Sequence, residues 1–209
     1  MIGSPKIRLS PEEQSVLANR KFFEIKRLIT DKLYHQFANI IAASKNQALF
    51  KSSILPPGTD AVAGKISKGE NYLGLPYLML DFPRNFSPDH MLAVRTMIWW
   101  GNFFSCTLLA SGKEVASVKQ AILNKKSLLA RHDFSICINT SPWHHHFESD
   151  NYRPVKELAK SELLRVLNAQ DFVKIARKRS LTSINNLEIF VLESYAIYDL
   201  LLTARLRYR

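Results

Sequence analysis

The densest run of groups able to do chemistry is Ser141-Pro142-Trp143-His144-His145-His146-Phe147-Glu148-Ser149-Asp150-Asn151-Tyr152, which holds three of the six histidines. In an extended backbone side chains alternate, so His144, His146 and Glu148 would project to one side. Two imidazoles and a carboxylate on one face begin a site for a divalent transition metal such as zinc or iron, with His90 or His132 as a fourth ligand. A metal-free variant uses His145 as a general base beside Asp150. The plainer reading, which adjacent histidines favour, is that Pro142 breaks the strand and the histidines pack or hydrogen-bond one by one in a surface loop.

A second group centres on Asp81, a carboxylate between Leu80 and Phe82 in an otherwise apolar run. With Arg84 or Arg95 it would line a ligand pocket. The bland alternative is a strand-ending acid paired to a nearby arginine. The ligand-binding candidates are therefore Asp81, Arg84, Arg95, Trp143 and Tyr152, with the pocket between residues 143–152 and the strand at Asp81. Of Trp99 and Trp100, neighbours on a strand face opposite ways, so one belongs to the core and the other lines a groove or a helix-covered face. No nucleophile elbow, Gly-rich phosphate loop, paired-cysteine motif or HExxH pattern is present, so no reaction class is indicated and catalysis itself stays open.

Charge and cysteine content bound the partners and the setting. Lys and Arg number 29 against 18 Asp and Glu, a formal charge of +11, which attracts phosphate-bearing or nucleic-acid partners. The excess is spread over Arg20-Lys21, Lys26-Arg27, Lys125-Lys126, Arg177-Lys178-Arg179 and Arg205, Arg207 and Arg209. Cations and the aromatic-rich strands lie in different stretches, which weakens a base-stacking surface. Cys106 and Cys137 sit in apolar runs and are expected as small buried hydrophobes in a reducing compartment. Residues 1–9 lack the apolar core of a signal peptide, so a cytoplasmic location is expected. The most apolar run, residues 96–110, is shorter than the ~20 residues a spanning helix needs and is interrupted by Gly101-Asn102, so no membrane span is expected.

These groups must be positioned by regular elements. Ser10-Pro11-Glu12-Glu13 is a helix start, with a hydroxyl cap, a proline at the first turn and a glutamate able to complete a capping box. Val16, Leu17, Ile25, Leu28, Ile29, Leu33, Phe37, Ile40 and Ile41 continue as one apolar stripe of a long helix to about Ala43, bent near Thr30-Asp31. Residues 44–71 read as loop, with a short strand near 65–67, and a loop of that length is a candidate lid. Residues 72–82 read as a strand whose first half is weakened by Gly74 and Pro76. Residues 91–100 and 103–111 read as an apolar hairpin about a two-residue Gly101-Asn102 turn. A helix over 113–129, a strand over 134–139, a helix over 155–167, a strand or helical turn over 172–176 and a helix over 184–207 complete the chain.

The expectation is one α+β domain spanning 1–209. Its antiparallel sheet has a central apolar hairpin and is packed by a long N-terminal helix, a middle helix and C-terminal helices. This order, with a strand leading into Ser141-Pro142-Trp143 and on to Asp150-Asn151-Tyr152, resembles bacterial families of uncharacterised α+β proteins. The resemblance implies a fold and no activity.

Overall fold

The computed structural model describes residues 7–51 and 55–203. The chain divides into two compact units, Met1–Gln36 and Phe37–Arg209. In the first, α1 (Pro11–Ala18) opens on the expected capping box. Ser10 Oγ accepts the Glu13 amide at 3.2 Å and the Glu13 carboxylate accepts the Ser10 amide at 2.6 Å. The break falls at Asn19 rather than at Thr30-Asp31. Asn19 Oδ1 accepts the Phe22 amide at 2.9 Å and so caps a second helix, α2 (Arg20–Ser44). A short amide side chain offers the backbone a local partner and restarts the helix, which a hydroxyl at Thr30 does not do. Thr30 instead returns its hydroxyl to the Lys26 carbonyl at 2.9 Å, within an unbroken helix.

The second unit is built on a seven-stranded, wholly antiparallel sheet of order β1-β2-β3-β4-β7-β5-β6. The strands are β1 (Lys65–Tyr72), β2 (Leu75–Asn85), β3 (Leu92–Trp99), β4 (Phe103–Ser111), β5 (Ser135–Cys137), β6 (Tyr152–Pro154) and β7 (Phe172–Ser180). The apolar hairpin β3–β4 lies centrally, as its two-sided hydrophobicity requires. Its turn is one residue longer than the sequence suggests. Trp99 pairs with Phe103, while the Trp100 amide leaves the hairpin ladder for the Pro76 carbonyl at 3.0 Å. Gly101, at φ +75°, supplies the left-handed residue that such a three-residue connection needs.

The helices of this unit are α3 (Ala48–Lys51), α4 (Val115–Asn124), α5 (Lys126–Arg131), α6 (Lys160–Asn168) and α7 (Leu187–Leu202). Each long helix expected from periodicity is shorter in the structure. The 113–129 stretch is divided into α4 and α5, and 3-10 segments, Val155–Glu157 and Leu181–Asn186, stand before α6 and α7. Residues 204–209, with Arg205, Arg207 and Arg209, lie outside the described residues. Among the described residues no helix is long and apolar enough to cross a membrane.

Strand register sorts the sheet into two faces. Leu80, Thr96, Cys106 and Arg177 lie opposite one another across β2, β3, β4 and β7, on the face that α7 covers. There Tyr198 donates to the Cys106 carbonyl at 2.8 Å, and Tyr195 to the Phe82 carbonyl. Arg177, 1% exposed, reaches Ser194 Oγ at 2.8 Å, the Phe190 carbonyl at 2.7 Å and Glu193 at 3.0 Å. The next row, Asp81, Arg95, Thr107 and Ala176, therefore points to the other face.

Candidate functional site

The second face is where the histidine-rich loop lies. Tyr72, at the end of β1, places its hydroxyl oxygen where it accepts the amides of His145 at 2.6 Å and His146 at 3.1 Å. With its acceptor sites so occupied, the hydroxyl donates its own proton to His146 Nδ1 at 3.0 Å. That leaves the His146 proton on Nε2, which faces Asp150 at 3.2 Å. Asn151 clamps the loop from within by donating to the carbonyls of His144 at 3.2 Å and His146 at 2.5 Å. The Lys174 ammonium, projecting from β7, also donates to the His144 carbonyl.

Beside this clamp lies a chain of polar contacts from buried Asp81 through partly buried Arg95 to His145. Arg95 binds the Asp81 carboxylate in a two-pronged fashion, Nε to Oδ1 at 2.6 Å and Nη2 to Oδ2 at 2.9 Å. Its remaining Nη1 stands 3.1 Å from His145 Nε2. A guanidinium only donates, so His145 Nε2 accepts and the ring carries its proton on Nδ1. Burial, reinforced by the charges of Arg95 and Lys174, lowers the His145 pKa to about 2, so the imidazole is neutral. Burial likewise lowers Lys174 to about 8 and raises the Cys137 thiol and the Tyr152 phenol.

The structure thus joins some of the residues singled out in the sequence and separates others. Asp81, 5% exposed, and Arg95 form one unit, and His145 completes it. Arg84 does not share it. The register of β2 against β3 shifts between Asp81 and Arg84, and Arg84 pairs with Asp60 at 3.2 Å, which anchors the segment before β1 to β2. Trp143 stays 48% exposed, its ring 6.4 Å from that of Phe86. Tyr152 is buried and stacks on Phe147 at 4.4 Å.

The metal reading needs an extended backbone as far as Glu148, and the chain turns from Glu148 onward. The Glu148 carbonyl accepts the amides of both Asn151 and Tyr152 at 3.0 Å. The rings of His144 and His146 lie 5.5 Å apart, but both nitrogens of His146 are occupied by Tyr72 and Asp150, and the Glu148 side chain is exposed. Asp150 thereby meets His146 and not His145. Among the described residues no group of three His, Cys, Asp or Glu side chains is arranged to hold a metal ion.

A cleft of about 230 Å³ opens at the edge of the loop, lined by Asp133, Ser135, Phe147, Pro154, Lys156 and Lys178. Lys178 is exposed and holds its ammonium 5.0 Å from the Phe103 ring centre and 5.1 Å from that of Phe147. Asp133 is already met by Lys156 at 3.4 Å and Arg179 at 3.3 Å. Lys174 rests 5.0 Å from the Tyr152 ring centre, so the stacked pair Phe147 and Tyr152 is flanked by Lys178 at one end and Lys174 at the other. Sequence reading missed Lys174 and Tyr72, and met Lys178 only as part of the Arg177-Lys178-Arg179 basic run. The signal for the two lysines was the alternation Lys174, Ala176, Lys178, which is visible only once residues 172–180 are known to be a strand. Comparison with models of known protein families, with curated proteins and with solved structures finds no match.

Proposed function

We propose that the chain is a binding domain for a small phosphate-bearing molecule, seated in the cleft of Ser135, Phe147, Lys156 and Lys178 with the histidine-rich loop as its wall. One observation carries this reading. Lys178 has no carboxylate partner within ion-pair distance among the described residues, while the cleft's acid, Asp133, is neutralised by two other cations. An anion entering the cleft meets a net positive field, a hydroxyl donor at Ser135 and the Phe147 ring. A volume of about 230 Å³ suits a ligand smaller than the drug-sized occupants of pockets of roughly 300–1,000 Å³. The loop itself fits a supporting role better than acid–base chemistry. A histidine with its pKa lowered to about 2 is a weak proton acceptor, far from the near-neutral value at which a general base is most effective.

The test is titration calorimetry with inorganic phosphate and with adenosine monophosphate at low ionic strength. Binding is expected to weaken by roughly tenfold in Lys178→Ala, the loss of one charge-assisted hydrogen bond, and to weaken as salt is raised. Absence of binding by the folded protein, or binding indifferent to both Lys178→Ala and Lys156→Ala, would overturn the proposal.

A further inference from the structure

The N-terminal half of α2 carries an apolar stripe of a different kind from that of the core. At about 3.6 residues per turn, Phe22, Ile25 and Ile29 fall on one face and continue the line of Leu33, Phe37 and Ile40. The latter three are buried, whereas Phe22, Ile25 and Ile29, with Phe23 and Leu28 beside them, are 39% to 60% exposed. Scattered exposed hydrophobics are ordinary, but a continuous stripe on one helix face marks an interaction surface.

The charges around the stripe identify the occupant. The acids Glu24 and Asp31 lie on the opposite face, where Arg20 meets Glu24 at 2.7 Å and Arg27 stands 3.9 Å from Asp31. Helical spacing puts Lys21 and Lys32 along one border of the stripe and Lys26 along the other, with no acid on either border. A second copy packed on this stripe would set lysine rows against lysine rows, which is repulsive. An anionic bilayer accepts both features, because the apolar side chains enter the acyl boundary while the lysine stems lie along it and their ammonium groups reach lipid phosphates. The stretch from Arg20 to Lys32 is about 20 Å long at about 1.5 Å per residue, short of the ~30 Å hydrocarbon core, so such a helix lies in the surface and does not cross.

We infer that the N-terminal half of α2 docks the protein on an anionic membrane surface through Phe22, Ile25 and Ile29, bordered by Lys21, Lys26 and Lys32. This inference is independent of the phosphate cleft. The experiment is flotation of the full chain with phosphatidylcholine vesicles that contain, or lack, roughly 25% phosphatidylglycerol. Binding to the anionic vesicles is expected to exceed binding to the neutral ones by at least roughly tenfold, and to fall by a similar factor in Ile25→Ser/Ile29→Ser and in Lys21→Glu/Lys32→Glu. All four positions are exposed, so circular dichroism should stay unchanged. A Phe22→Trp variant gives a second readout, a blue shift of tryptophan emission on addition of anionic vesicles. Failure to float with anionic vesicles, or equal flotation of the Ile25→Ser/Ile29→Ser variant, would overturn the inference. So would a dimer dissolved by that variant in sedimentation velocity, which would assign the stripe to a second copy.

Discussion

His145 shows how a single side chain is tuned by what surrounds it. Its ring is taken from water and set against the Arg95 guanidinium, so protonation in the folded state is suppressed to a pKa of about 2. An unfolded histidine titrates near 6.5. Between those values the unfolded chain binds a proton that the folded chain refuses, so stability is lost as pH falls below about 6.5. At pH 5 the expected loss from this group is about 1–2 kcal/mol. Urea denaturation at pH 7 and pH 5 checks it: His145→Gln, whose amide oxygen can still accept from Arg95, should lose less stability over that interval than the parent by a similar amount. The composition of the loop was legible in the sequence, but the partner of each histidine was not. His145 and His146 are neighbours, yet one answers to Arg95 and the other to Asp150 and Tyr72, because Tyr72 fixes both of their amides.

At the scale of elements, what was legible was whatever rests on local chemistry. The Ser10 capping box and the β3–β4 hairpin are decided by residues a few positions apart, and both form where expected, apart from one extra residue in the turn. β7 was half hidden, since Lys174 and the Arg177-Lys178-Arg179 run mask an apolar alternation that makes sense only between β4 and β5. The ends of the hairpin offer a paired test of turn chemistry. Gly101 and Gly112 both adopt φ +75°, but a Cβ at Gly101 would have Leu75 Cδ1 no nearer than 3.6 Å, while one at Gly112 would fall 2.2 Å from the Asp89 carbonyl oxygen. Gly101→Ala should cost about 1 kcal/mol for the left-handed backbone alone. Gly112→Ala must also displace the turn at Pro88–His90, and should cost at least about twice as much by chemical denaturation.

For the whole molecule, the sheet acts as a partition. Cys106 shares a row with Thr96 and Arg177 on the face under α7, while Cys137 follows Ser135 at a spacing of two and belongs to the face under the loop. Both thiols are free and buried. Burial raises the pKa of Cys106 to about 11 and also raises that of Cys137, so neither forms the thiolate that attacks disulfide reagents near neutral pH. The native protein is expected to leave both thiols unlabelled by a disulfide reagent and to release both in one step on unfolding, so labelling against denaturant should follow the circular dichroism transition. Labelling of one thiol well before that transition would show that one face of the sheet opens independently of the other.

By itself the sequence determined the α+β class, the apolar hairpin at the centre of the sheet, the first helix start and the presence of a polar loop rich in histidine after a strand. Each follows from periodicity, capping or turn chemistry, which act over a few residues. Only the tertiary structure decided that Asp81 pairs with Arg95 and not Arg84, that Tyr72 holds the loop, and that Lys178 stands over Phe103 and Phe147 at the cleft. Those outcomes depend on register between strands far apart in the chain, and a shift of one residue in register sends a side chain to the opposite face. Arg84, opposite Ala93 and two residues along β3 from Arg95, is taken instead by Asp60 on the segment before β1, a pairing between residues 24 apart in the chain.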